Sequence, residues 1–338
     1  MNKVLCFGEL LLRLSPQLHG EWIRQNSMPV FVGGAELNAA TALARWGIPV
    51  SYCTALPDHY LSREILEDIK LKGIDTSRIL FSGSRIGTYY LPQGADLKHA
   101  GVIYDRAHSS FWDLKPGQIN WENLLEGIHW LHLSAISPAL NEEVAMVCAE
   151  AAEAASVRGL TVSIDLNYRS KLWQYGKEPS VIMNKILPFC NVVMGNIWSK
   201  DALLGIGVDA DIHDKKSRTA YLEHARRSSE KIIRLFPKVN AVANTFRFEE
   251  GGGIRYYACL DTEFGQSVSD EFFTDKVVDR VGSGDTFMAG LIYGYNRQLS
   301  PQEIIRFSAA AAFNKLFIKG DATTASAEEI MKGHLHYA

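Results

Sequence analysis

Residues 130–167 read WLHLSAISPALNEEVAMVCAEAAEAASVRGLTVSIDLN. The stretch opens on one apolar run, Trp130-Leu131-His132-Leu133-Ser134, and closes on another, Leu160-Thr161-Val162-Ser163-Ile164-Asp165-Leu166-Asn167. Between them Asn141 stands as an N-cap, Glu142 and Glu143 fill a first turn, an alanine-rich body follows and Gly159 ends it. This predicts a helix from Asn141 to Arg158. Strand, helix, strand in that order makes a parallel pair with a crossover. Two further runs extend the series, Val192-Val193-Met194-Gly195-Asn196 and Ala241-Val242-Ala243-Asn244-Thr245. Such sheets bind ligands beyond the carboxyl ends of their strands, so Asp165, Asn167, Asn196 and Thr245 are expected to line one rim.

Two stretches break the alternation. Residues 15–33 and 85–111 are rich in β-formers and turn residues, as in Thr88-Tyr89-Tyr90-Leu91-Pro92 and Gly101-Val102-Ile103-Tyr104-Asp105-Arg106, with no helix between their strands. They predict a small antiparallel sheet, too small for a core of its own, lying over the rim as a lid or against a second subunit. The expected division is a core of 1–14, 34–84 and 112–338 and a lid of 15–33 and 85–111.

The chain has 338 residues, enough to bury a sizeable core. Its 35 Lys+Arg against 38 Asp+Glu leave a formal charge of -3, which argues against gripping a nucleic-acid backbone. No apolar run approaches the length of a membrane span, and Met1-Asn2-Lys3 leads straight into strand-like Val4–Gly8. The five cysteines are odd in number and far apart, so a reduced, cytoplasmic enzyme without a local zinc or redox site is expected. His334 and His336 read as solvated tail residues rather than metal ligands.

The chemistry concentrates at the two ends. The segment VDRVGSGDTFMAG (278–290) places a Gly-Ser-Gly turn before an apolar helix, so bare backbone N–H groups at a positive helix terminus form an anion site. Asp285 stands in the first turn of that helix. An Asp there is commonplace as a cap, but beside a phosphate cradle it is also what phosphoryl transfer needs to accept a proton from an attacking hydroxyl. Near the other end, VGGAELNAATALARWG (32–47) is a glycine pair running into a helix. Either it is a tight turn with close packing on alanines, or Gly33 and Gly34 let a polyol approach the backbone while Asn38 bonds its hydroxyls.

Together these segments resemble the PfkB (ribokinase-like) family of carbohydrate kinases, over essentially the whole chain. The resemblance implies a ribokinase-like three-layer α/β core with a mostly parallel central sheet, a β-sheet lid that often makes a dimer contact, and ATP with Mg2+ as cofactors. It makes Asp285 the base and the backbone of Gly282, Ser283 and Gly284 the anion hole. Ala309–Phe313 and Gly320-Asp321 match the family's late helix and loop, which brings Asp321 to the substrate and Asn314 to the nucleotide, along with Asn167, Asn196 and Thr245. Several stretches are most similar to 2-keto-3-deoxygluconate kinases: Gly8–Pro16, Tyr89-Tyr90, Tyr104–Ser109, and Asp165–Arg169 with Leu172-Trp173. A keto acid carries a carboxylate, for which a guanidinium fork is the natural partner. Arg106 and Arg169 are the candidates, with Tyr90 and Tyr104 offering hydroxyls, whereas Arg13 reads as a surface ion pair.

The sequence departs from the family twice. Ser199 stands where most members carry the Glu of Asn-x-x-Glu, leaving Asp201 as the nearest carboxylate and the metal position unassigned. Asn244-Thr245-Phe246-Arg247 replaces a Gly-x-x-Gly turn, which brings Arg247 toward the phosphates. The leading reading is a kinase for the terminal hydroxyl of 2-keto-3-deoxygluconate or a close sugar acid. A PfkB kinase for a neutral sugar and a non-catalytic sugar-responsive binding protein are the alternatives. A nicotinamide oxidoreductase is disfavoured because Gly8 stands alone after the first strand.

Overall fold

The computed structural model describes residues 2–93, 101–212 and 217–333; His334, His336 and the 94–100 part of the lid reading lie outside the described residues. A nine-stranded sheet runs in the order Gly265–Val268, Gly253–Thr262, Ala241–Glu250, Val192–Gly195, Thr161–Asp165, Trp130–Ser134, Val4–Phe7 and Val50–Cys53, with Phe272–Thr274 added on Gly253–Thr262. From Ala241–Glu250 to Val50–Cys53 every pairing is parallel, and the pairings made by Gly253–Thr262 are antiparallel.

Three layers follow from the pleat. Successive strand residues point to opposite faces, so Val4 and Cys6 enter one core while Leu5 and Phe7 enter another. The first core packs under the helices Ala35–Arg45, Ser283–Asn296 and Pro301–Lys315, the second under Glu142–Val157. Asn141 caps that last helix by accepting from the Val144 N–H at 2.8 Å, as the sequence predicts. Helices Ser283–Asn296 and Pro301–Lys315 touch closely because Gly290 and Gly294 carry no Cβ; one at Gly290 would lie 2.6 Å from Ser308 Cα.

The second sheet has four strands, Val30–Gly33, Leu11–Leu14, Gly87–Tyr90 and Ile103–Asp105. It corrects the sequence reading in three respects. Leu11–Leu14 belongs to it and not to the core: after Phe7 the chain turns at Gly8-Glu9-Leu10, a break hidden inside a continuous apolar run. It is mixed rather than antiparallel, because Leu11–Leu14 and Gly87–Tyr90 pair in parallel through a connection that passes across the core. A short helix, Glu21–Gln25, interrupts the first lid stretch, and none of its residues is buried. The inner face closes on Leu11, Tyr89, Leu91, Val102 and Val281. Its outer residues Val30 and Ile103, and Ile23 of the short helix, are exposed. No helix among the described residues is long and apolar enough to cross a membrane.

Candidate active site

A cavity of about 590 Å³ opens where the strand ends of the large sheet meet the small one. Asp165, Asn167, Asn196 and Thr245 all line it, the four rim residues expected from the strand ends. So do Gly34, Asn38, Tyr104, Arg106, Arg169 and Arg247, and the whole turn Gly282-Ser283-Gly284-Asp285.

The turn is built for an anion. Gly282 sits at the helix N-cap with φ 79°, and no side chain caps the helix behind it. Thr286 N–H already bonds to Gly282 O at 2.9 Å, which leaves the N–H groups of residues 283–285 as the donors at the positive terminus. Ser283 turns its hydroxyl away, donating to Ala312 O at 2.9 Å, so only its backbone serves the cavity. An ATP phosphate therefore fits this terminus. Among the described residues no group of three or more His, Cys, Asp or Glu is placed to hold a metal ion.

Asp285 is buried in the first turn, and Asn38 Nδ2 donates to its Oδ2 at 2.7 Å. Burial pushes Asp285 up to about 6, while the Asn38 hydrogen bond and the Arg169 charge pull it down. Three further buried carboxyls line the cavity, Glu9, Asp165 and Glu36. Asp165 is lifted to about 8 by burial and by the charge of Asp285. Glu36 is lifted to about 7 by burial, although its Oε1 accepts from Ser134 N at 2.9 Å and Ser134 Oγ at 2.6 Å. Closely placed carboxyls in low dielectric resist ionising together, so Asp285, Asp165 and Glu36 titrate as a coupled set.

Four sequence-selected residues do not line the cavity: Gly33, Tyr90, Asn314 and Asp321. Tyr89 takes the place read for Tyr90, since neighbours in a strand face opposite ways and Tyr89 is the buried one. Gly33 instead makes room for Asp321, whose Oδ2 lies 2.4 Å from where a Cβ would be. Asp321 is itself occupied by Arg13, which is buried and not on the surface: Arg13 Nε donates to Asp321 Oδ1 at 2.7 Å and Nη2 to Asp279 Oδ2 at 2.9 Å. Asn314 is buried within its helix. Arg106 reaches the cavity but is already paired, Nε donating to Glu9 Oε2 at 2.6 Å, with Ser109 on the other Glu9 oxygen. Among the described residues Arg169 has the Tyr168 carbonyl as its hydrogen-bond acceptor and no carboxylate partner, which makes it the freer cation of the two. Asp201 is exposed and off the cavity, while Ser199 and Asn196 lock each other in a reciprocal helix cap.

An anion held at a glycine-cradled helix terminus, with a base one residue further on, is the business of a phosphotransferase, and comparison with known proteins returns that class. The chain belongs to the pfkB family of carbohydrate kinases, whose model matches residues 1–326. It is similar to a 2-dehydro-3-deoxygluconokinase from Thermotoga maritima, with 34% identity, a TM-score of 0.87, and coverage of 98% of this chain and 99% of that one. A 2-dehydro-3-deoxygalactonokinase from Haloferax volcanii is 27% identical over 329 residues, 97% of this chain and 95% of its own. A fructokinase with bound ATP from Xylella fastidiosa shares the fold at 18% identity and TM-score 0.73, covering 98% and 97% of the two chains. The fold is ribokinase-like, and the chain is a carbohydrate kinase, a phosphotransferase with an alcohol acceptor.

Proposed function

We propose that the chain transfers the γ-phosphoryl group of ATP to the terminal hydroxyl of 2-keto-3-deoxygluconate or a close sugar acid. The carrying observation is Arg169 on the wall of the same cavity as Asp285, a guanidinium that can pair with the carboxylate of a sugar acid. The names of the Thermotoga and Haloferax relatives point the same way. In this reading Asn38 holds Asp285 Oδ2, and the other carboxylate oxygen takes the hydroxyl proton. The sugar oxygen forms its bond to the γ-phosphorus as the bond to the β-phosphate oxygen breaks, and ADP leaves with that electron pair. The N–H groups of residues 283–285 stabilise the transferring phosphoryl charge. This reading assigns Tyr89, Tyr104 and Gly34 of the cavity wall to the acceptor, and Asn167, Asn196, Thr245 and Arg247 to the nucleotide. The exposed apolar residues Ile23, Val30 and Ile103 suit a homo-oligomer formed through the lid. ADP release with a panel of sugar acids and neutral sugars tests the reading; release with neutral sugars alone would overturn it.

Arg169→Ala is expected to raise the KM for the keto acid by tenfold or more while leaving that for ATP nearly unchanged, since a lost charge-assisted contact costs about 1.5–3 kcal/mol. An equal loss against a neutral sugar would show that Arg169 does not read a carboxylate. Arg106→Ala is the less clean variant, because it also strands buried Glu9.

Magnesium enters here as the ATP complex, held by its phosphates. Ser199→Glu should lower the magnesium concentration for half-maximal rate. A glutamate at this third helical position can keep the cap on the Asn196 N–H and add a carboxylate at the cavity wall. An unmoved magnesium titration would mean that the position never meets the metal.

A further inference from the structure

Beneath the phosphate-binding turn lies a set of four charges that the reaction as described does not use, with Arg13, Lys315 and Asp321 buried and Asp279 partly so. Lys315 ends the helix Pro301–Lys315 fully buried, and its Nζ donates to Ile318 O at 2.8 Å. Its stem touches the turn: Lys315 Cε is 3.5 Å, and Asp321 O 1.7 Å, from where a Cβ on Gly282 would be. Arg13 binds both Asp279 and Asp321, and Asp279 in turn accepts from Val281 N at 3.0 Å and Gly320 N at 3.1 Å. Asp279 thus ties the chain just ahead of Gly282 to the loop behind it. The groups facing Lys315 are Asp279, Asp321, Arg13 and Asp285. Burial pulls Lys315 down to about 8, with Asp279 and Asp321 favouring its charge through space, so the ammonium form prevails at neutral pH. Two cations then balance two carboxylates. With Lys315 uncharged, a net negative charge would sit directly under a turn that must receive a phosphate.

We propose that Lys315 is a positioning residue of the phosphate-binding turn: its buried ammonium balances Asp279 and Asp321 under Gly282, which keeps the turn receptive to the anionic phosphates of the nucleotide. The inference deepens the kinase reading and rests on it, but ATP binding can be measured without any sugar. Lys315→Met removes the charge at similar volume and is expected to weaken ATP binding in calorimetry by roughly tenfold or more, the scale of a lost charged partner. Adding Asp279→Asn to that variant restores neutrality and should recover most of the loss. In turnover assays Lys315→Met should also move the acid limb of kcat/KM to higher pH, because Lys315 helps hold the Asp285 carboxyl down. Asp285 also faces Arg169, Asp321, Asp165 and Glu36, which remain in place.

ATP affinity of a folded Lys315→Met within about twofold of wild type overturns the proposal. So does a double variant that binds no better than the single one, or failure of both variants to fold, since each reduces Lys315 to a packing role. A wild type that binds ATP yet phosphorylates no sugar acid sinks the substrate reading instead, and leaves the ATP titrations to decide the role of Lys315.

Discussion

Asp285→Asn is expected to fold like the wild type and to turn over roughly 10²-fold or more slowly, the usual cost of losing a positioned general base. The substitution is isosteric, and its amide oxygen can still accept the 2.7 Å hydrogen bond from Asn38, so the cavity keeps its shape. What disappears is the site for the hydroxyl proton. The same residue sets a pH signature. The base works only when ionised, and burial raises it to about 6, so wild-type kcat/KM should climb as pH rises through that value and flatten above it. Asp165 and Glu36 titrate close by, so the limb belongs to the coupled set. The residual rate of Asp285→Asn should lack that limb. Stopped-time ADP assays across pH 5–8 on both proteins decide the matter, with thermal melts to verify folding. Near-normal turnover in the variant would remove Asp285 as the base.

The large sheet was legible because its signals are local. Each parallel strand is a short apolar run, the crossover helix Glu142–Val157 brings its own cap, and the polar residues at the strand ends fall on one rim by topology alone. The Gly-Ser-Gly-Asp turn was legible for the same reason. What the sequence concealed depends on partners far away along the chain. Arg13 looks like any surface arginine until Asp321, 308 residues on, closes over it. Asp321 looked like a substrate ligand and is spent on that pair. Tyr89 and Tyr90 are adjacent, and only the pairing of their strand decides which faces inward. Glu36 reads as an ordinary acid in a first helical turn, and only Ser134 and Ser137, brought in from another strand end, reveal a buried carboxyl at the cavity. Lys315 gave no signal beyond being a lysine at the end of an apolar helix, a placement that normally points to solvent.

Gly282→Ala is the harsher test of the anion hole. At φ 79° an alanine is already strained, and its Cβ would fall 1.7 Å from the Asp321 carbonyl oxygen, so either the turn or the loop behind it must move. Asp321 cannot yield freely, since Arg13 clamps its carboxylate from below. The turn yields instead, and its N–H groups leave the position they hold for a phosphate. Loss of one such preorganised donor costs on the order of 10²–10³ in kcat, and the strained backbone about 1–3 kcal/mol of stability. Gly284→Ala is the control for stability: nothing nearer than Met194 Cε, 4.0 Å away, would meet its Cβ, and alanine suits a helix better than glycine, so its denaturation midpoint should be at or slightly above that of wild type. Both variants would be followed by chemical denaturation and by initial rates at saturating sugar. If Gly282→Ala kept wild-type kcat while losing only stability, the turn would be a structural hinge, and the phosphates would have to be held elsewhere, with Lys171, Arg247 and Arg280 among the cavity-wall cations to examine.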